Sequence, residues 1–289
     1  MESILKVLEE KASVDRDCVV VLDVDDTLWE GDCDGTYGPP FAFESPGALR
    51  DCRNRPFKLF PEVVDIITAV EMLAKKSKGE KTVRLAVASR TMMPPWCREA
   101  LNLFCTKAGT PFSKLIGCME MYESRKTRHL KAIREKMSVK SWSDMIFFDN
   151  EGRNISDTRT LGYEAEGDQR IQTEIKKGKY WDAETVVSDG REFVTVVHTP
   201  DGLNFRTFLA GLEVWARRQE ERELHSAGVG PGDAERAVAV SGLRKQSNGN
   251  ITQGEKAKEA KGKSNDKQKQ GRRLSKETSA AAVDEAKGA

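Results

Sequence analysis

No stretch of this chain approaches the roughly 18 to 20 consecutive apolar residues that cross a bilayer. Its opening, Met1-Glu2-Ser3-Ile4, also lacks the basic and then apolar pattern of a secretion signal. A soluble protein without a membrane partner is expected, cytoplasmic in location. There is no excess of either charge: 47 basic and 46 acidic residues leave a net +1, so no overall field draws the chain to nucleic acid or an anionic surface. The partner is expected to be local and small. The six cysteines, Cys18, Cys33, Cys52, Cys97, Cys105 and Cys118, never form a Cys-x-x-Cys pair. Neither a zinc site nor a disulfide framework is indicated, and they read as reduced thiols. Beyond about Ser226 the sequence is poor in aromatic and bulky apolar residues and rich in Lys, Gly, Ser, Gln and Ala. Such a segment cannot bury enough surface to offset its ordering entropy, so 223–289 is expected to be a disordered charged tail. Within it, Arg272-Arg273-Leu274-Ser275 has the pattern of a basophilic kinase site. Lys267 to Arg273 has that of a weak nuclear signal, which leaves a nuclear location open, although short basic patterns in such tails carry little information.

What remains is one core of ordinary size, in a chain of 289 residues with 38% hydrophobic content. Residues 1–16 carry Ile4, Leu5 and Leu8 on one helical face, which predicts a short docking helix. Pro61-Glu62 opens a helical pattern through Val63, Ile66, Ile67, Val70 and Leu73. Val83 to Ser89 reads as a strand, Pro94 to Lys107 as a helix, and Lys114 to Cys118 as a short strand. Lys126 to Met137 reads as a basic amphipathic helix, and Met145 to Asp149 as a strand ending at an acid. Phe193 to His198 reads as a last strand, and Leu203 to Trp215 as a closing helix running into Arg217 to Arg222. Glu30 to Lys58 is turn-rich and predicts an irregular flap whose Tyr37, Phe41 and Phe43 either rim a pocket or plug the core. Glu164 to Arg191 is a polar excursion without periodicity. The domain is therefore placed at 17–222, with an insertion at 164–191. Alternating strands and helices predict an α/β, Rossmann-like parallel sheet with helices on both faces.

The rest of the chain serves the stretch Val19-Val20-Val21-Leu22-Asp23-Val24-Asp25-Asp26-Thr27-Leu28-Trp29. Four β-favouring apolar residues make a strand buried on both faces, and the run stops at three carboxylates within four positions. Repulsion and desolvation would raise their pKa values unless a cation or water relieved them. A turn starting there would fan Asp23 and Asp25 around the strand's carboxyl end, where open α/β sheets hold their ligands.

Asp-x-Asp-x-Thr after such a strand resembles the first motif of the haloacid dehalogenase superfamily of phosphatases, and Thr27-Leu28-Trp29 is similar to its small eukaryotic magnesium-dependent branch. Ser89, closing Val-Ala-Ser-Arg-Thr, matches the second motif, with Arg90 beside it as a further phosphate contact or as one half of an exposed ion pair. Lys126 matches the third motif, with His129 three positions on and Arg125 and Arg128 as neighbouring cations. Asp149 matches the fourth, although Asp149-Asn150-Glu151 stands where the family commonly shows two acids in succession. The resemblance implies a HAD-like fold and a phosphatase acting through an aspartyl-phosphate. Asp23 would be the nucleophile and Asp25 the general acid and base. Ser89, Arg90 and Lys126 would hold phosphate, and Mg²⁺ would sit on Asp23, Asp149 and the Asp25 carbonyl. Asp23 and Ser89 are 66 residues apart and Ser89 and Lys126 are 37 apart, which leaves no room for a separate cap domain. An uncapped site admits phosphotyrosine on a phosphoprotein as well as a phosphorylated small molecule, such as a phosphorylated glycated amine. A non-catalytic module that keeps the fold to bind proteins is the alternative from another class.

Overall fold

The computed structural model describes residues 18–76, 83–159, 161–162 and 193–228. The helix expected within 1–16, the insertion at 164–191 and the tail beyond residue 228 lie outside these residues.

Five parallel strands form the central sheet in the order β6-β5-β1-β7-β8: β1 (Cys18–Leu22), β5 (Val83–Ser89), β6 (Ile116–Met121), β7 (Met145–Asp149) and β8 (Thr195–His198). All five residues of β1 are buried, as its unbroken apolar run requires. It is bonded to β5 on one side and β7 on the other. Its side chains alternate between two separate cores. Val20 and Leu22 face the first, with Ile66 and Ile67 of α1 (Val63–Lys76), Leu101 of α2 (Pro94–Leu103) and Phe208, Leu212 and Trp215 of α6 (Phe205–Ser226). Val19 and Val21 face the second, with Leu130 and Ile133 of α4 (Lys126–Lys136) and Ile155 of α5 (Gly152–Thr158). Helices thus cover both faces, as the strand and helix alternation predicts. The chain steps outward from β1 to β5 to β6 and then returns across β1 to β7 and β8. That reversal opens a crevice at the carboxyl end of β1.

Several boundaries differ from the sequence reading. α2 stops at Leu103 rather than Lys107, because Phe104 turns into the core and takes extended geometry. Residues 112–115 form a single helical turn, α3 (Phe112–Leu115), so β6 begins at Ile116 and runs to Met121. The closing helix continues to Ser226, past the residue 222 set as the domain limit. The largest departure is the flap. Residues 30–58 are not irregular: a 3-10 turn at Cys33–Gly35 precedes a three-stranded antiparallel meander, β2 (Ala42–Ser45), β3 (Ala48–Arg50) and β4 (Pro56–Lys58). Its strands are only three or four residues long, too short for periodicity to reveal. Phe41 is a plug, buried against Phe57 with ring centroids 5.5 Å apart, whereas Tyr37 and Phe43 are exposed. Among the described residues no helix is long and apolar enough to cross a membrane.

Candidate active site

The sheet carries Asp23 one residue beyond β1, where its N–H still donates to Phe148 O of β7 at 3.0 Å. The chain then turns sharply. Val24 O accepts from both Thr27 N and Leu28 N, and Asp26 takes a left-handed φ of 51°, a conformation in which Asp is among the tolerated residues. This turn sends Asp23 and Asp25 to different partners, the fanning expected from the sequence.

Asp23 meets Lys126. The ammonium, at the first position of α4 and 1% exposed, lies 2.5 Å from Asp23 Oδ1 and 3.1 Å from Asp149 Oδ2. It also donates to the Ala88 carbonyl at 2.6 Å. Its three N–H bonds therefore reach three chain segments: the end of β1, the end of β5 and the end of β7. Arg125 and Arg128, the neighbouring cations, are exposed. The turn that delivers Lys126 is fixed by His129, whose ring nitrogens lie 3.0 and 2.9 Å from Arg125 O and Tyr122 O. One ammonium between two buried carboxylates leaves an excess of negative charge. Burial pushes Asp23 up to about 7, with Lys126 opposing the rise and Asp149 adding to it.

Asp149, fully buried, is oriented from below. Its Oδ1 accepts from Glu151 N at 2.7 Å and from Asn154 Nδ2 at 3.0 Å, with Asn154 also 3.1 Å from Oδ2. Asn154 lies in the first turn of α5 and reaches Glu151 too. In the sequence, Arg153-Asn154-Ile155 only resembles the magnesium-dependent branch, and the orienting part of Asn154 depends on a helix folding back over the strand end. Asn150, which stands where a second acid is common, has a fixed backbone: its N–H donates to Thr27 Oγ1 at 3.2 Å and its carbonyl lies 2.8 Å from His198 Nε2.

Asp25 is held differently. The Trp29 indole N–H and the Cys33 backbone N–H both donate to its Oδ1 at 2.8 Å, which leaves Oδ2 without a hydrogen-bond partner among the described residues. Burial raises its pKa, and the two donors oppose the rise. A carboxyl held by one oxygen, with its affinity for protons increased, is equipped to carry a proton on the other. Sequence reasoning missed both donors; the four-residue spacing of Asp25 and Trp29 was the available signal for one of them.

Ser89 is buried at the end of β5, its hydroxyl accepting from Thr91 N at 3.0 Å and keeping its own proton for another acceptor. Arg90 faces Glu151 at 3.8 Å. The structure thus joins Asp23, Lys126 and Asp149 by direct contact. Ser89 follows the carbonyl that Lys126 binds, and Arg90 and Asp25 stand at the periphery. A hard divalent cation fits this donor set. Every acidic donor is oxygen, and the two convergent carboxylates need more positive charge than one lysine supplies. Among the described residues no three His, Cys, Asp or Glu side chains form a cage, and Mg²⁺ takes one or two carboxylates with waters rather than such a cage.

A parallel sheet whose carboxyl edge gathers a post-strand aspartate, a buried lysine and a second strand-terminal acid defines a hydrolase of the haloacid dehalogenase type. Residues 17–166, more than half of the chain, match the model of the family described as Acid Phosphatase, and the chain belongs to that family; it is a phosphatase, as its motifs imply. It is 29% identical over 201 residues to Magnesium-dependent phosphatase 1 of Homo sapiens, covering 70% of this chain and 88% of that one. It is also 29% identical over 140 residues to a HAD-like hydrolase superfamily protein of Schizosaccharomyces pombe, covering 47% of this chain and 76% of that one. Among solved structures, the N-terminal part of the protein BF1531 from Bacteroides fragilis, described as containing a phosphatase domain complexed with Mg, aligns with 53% of this chain and 36% of its own. The sequence identity is 15% and the TM-score 0.33.

Proposed function

We propose that the protein hydrolyses phosphate monoesters with Mg²⁺ through an aspartyl-phosphate on Asp23. The observation that carries this reading is the contact of one buried ammonium with both Asp23 and Asp149, since phosphoryl transfer is mainly positioning and charge stabilisation. Lys126 engages Asp23 Oδ1, which leaves Oδ2 to attack phosphorus. Asp25, anchored through Oδ1, gives the proton on Oδ2 to the leaving oxygen and later takes one from the water that releases phosphate. Ser89 Oγ–H and Arg90 supply donors to the phosphoryl oxygens. Mg²⁺, held by Asp23, Asp149 and the Asp25 carbonyl, would supply charge neutralisation to the phosphoryl group and nucleophile together. Phosphotyrosine on a polypeptide is the substrate we favour over a phosphorylated glycated amine, because no cap closes off the site within the described residues.

The test is Asp23→Asn. Turnover of an aryl phosphate should disappear while the circular dichroism spectrum and cooperative unfolding remain; near-normal turnover would refute the assignment. Hydroxylamine trapping after rapid quench should label the unsubstituted protein and not the variant. A panel of phosphopeptides and sugar phosphates ranked by kcat/KM decides the substrate class.

A further inference from the structure

We propose that Arg53, Tyr37 and Arg55 form a docking point on the flap for acidic side chains of a phosphorylated polypeptide, a few residues away from its phosphorylated residue. The proposal deepens the reading above and rests on it for the identity of the reacting group.

The Arg53 and Arg55 guanidinium carbons lie 4.0 and 4.5 Å from the centroid of the Tyr37 ring. Both arginines are exposed, as is the ring. Among the described residues neither has a carboxylate within ion-pairing distance. Their neighbour Arg50 shows the contrast, bonded to Glu44 at 2.8 Å and to Asn54 O at 3.1 Å. The nearby carboxylate of Asp51 is turned inward instead. It accepts the backbone N–H groups of Tyr37, Arg53 and Arg55 at 3.1, 2.9 and 2.9 Å and is 5% exposed.

Asp51 therefore spends its hydrogen bonds on shaping the turn, and of the two guanidinium groups only that of Arg55 acts on it electrostatically, from beyond ion-pairing distance. Asp51 N donates to Arg55 O, and Asn54 closes the turn with a left-handed φ of 61°. The segment carrying Tyr37 is anchored in turn: Cys52 N donates to Gly38 O, and Gly38 presses so closely on Trp96 that a Cβ there would stand 2.6 Å from the ring. Two like charges are thus held beside one ring by a preformed scaffold. Stacking on the ring attracts each guanidinium but leaves its charge and its planar fork of donors unused, and carboxylates fit that fork.

The stack is tied to the proposed general acid by a short piece of chain. Cys33, whose N–H holds Asp25, precedes Tyr37 by four residues, a span of at most about 14 Å. Asp32 and Asp34, both exposed, lie in the same segment and act electrostatically on Asp25. A compact dianion at the site is repelled by these carboxylates. An extended peptide advances about 3.4 Å per residue, so it can carry neutral residues past Asp32 and Asp34 and set an acid against the arginines three or four residues along.

The experiment compares tyrosine-phosphorylated peptides with Glu three and four residues from the phosphotyrosine on either side, with Glu adjacent to it, or with neutral flanks. Fructose 6-phosphate serves as a small dianion. For the unsubstituted protein, kcat/KM on the peptide with distal acids should exceed the neutral peptide roughly five- to tenfold at low salt. That ratio should fall toward one at 0.5 M salt, as expected of rim charges. In Arg53→Ala/Arg55→Ala the ratio should be near one at any salt, and in Arg53→Glu/Arg55→Glu it should turn in favour of peptides carrying Lys at those positions. A ratio that ignores both double variants, or dependence on the arginines seen only with fructose 6-phosphate, overturns the proposal. Fluorescence anisotropy of the labelled distal-acid peptide on the Asp23→Asn protein separates the two claims. Binding that depends on the arginines while no protein hydrolyses any ester sinks the catalytic reading and leaves the docking point standing. Hydrolysis without dependence on the arginines does the reverse.

Discussion

The carboxyl edge of the sheet and the flap beside it handle charge in opposite ways. At the edge, Lys126 is 1% exposed and bonded to oxygens from three strand ends. On the flap, Arg53 and Arg55 are exposed around a single tyrosine. The edge is assembled from residues 23, 88 and 149, brought together by strand register, and residue 126 at the start of a helix. The flap is assembled from residues 37 and 51–55 by one buried aspartate and a tight turn. Long-range order fixes the residues proposed to act on the phosphoryl group, while short-range order sets what stands beside them.

The comparison can be broken first at the acid. Asp25→Asn removes the proposed proton carrier but no buried charge partner, so the fold should persist while turnover falls by about 10²- to 10⁴-fold. The loss should be larger for alkyl than for nitrophenyl phosphates, whose leaving groups need less protonation. Equal losses on both would remove Asp25 from that role. Lys126→Met attacks the other side of the site. It leaves Asp23 and Asp149 buried together without their cation, and urea unfolding should show a loss of about 3–5 kcal/mol; a neutral outcome would mean that the edge does not depend on this charge.

A third test needs no mutation. In the metal-free folded protein Asp23 holds its proton up to about pH 7, against about 4 for an unfolded chain. Between those values the folded state binds more protons than the unfolded one, so stability should fall as pH rises from about 4 to about 7 and then level off. Added Mg²⁺, which binds the ionised form, should flatten or reverse that slope relative to EDTA. A rise in metal-free stability over this range would mean that Asp23 stays ionised. The smallest effect is expected from Trp29→Phe. It leaves a smaller ring among the same neighbours and removes one donor to Asp25, at a cost of about 1–3 kcal/mol. Because that donor favours the ionised carboxylate, the pH–rate limb governed by Asp25 should move to higher pH.

The sheet was legible because β1 and β7 are unbroken apolar runs and because each strand used at the site ends at a polar residue. Asp23, Ser89 and Asp149 could be picked out in order for that reason, and Lys126 from its motif at a helix start. The flap was not legible: three- and four-residue strands carry no periodicity, and Asp51 looks like any turn aspartate until its three backbone donors are seen. Asn154 and Trp29 were hidden for a related reason. Each orients a carboxylate across a turn, a relation of direction that spacing alone suggests only weakly. Lys126 could be preferred over Arg125 and Arg128 from its motif, and only the geometry shows that the other two point to solvent.

Trp29 belongs to two worlds at once. Its indole nitrogen steers Asp25, while its ring lies edge-on to Phe57 of β4 at 5.2 Å and stacked with Phe104 at 6.1 Å. The meander's innermost aromatic is therefore one ring away from the proposed general acid. A change as remote as Phe57→Leu, which touches neither ester nor cation, can let the indole drift and leave the acid misaimed, so evolution can tune this catalyst from within its oil rather than at its mouth.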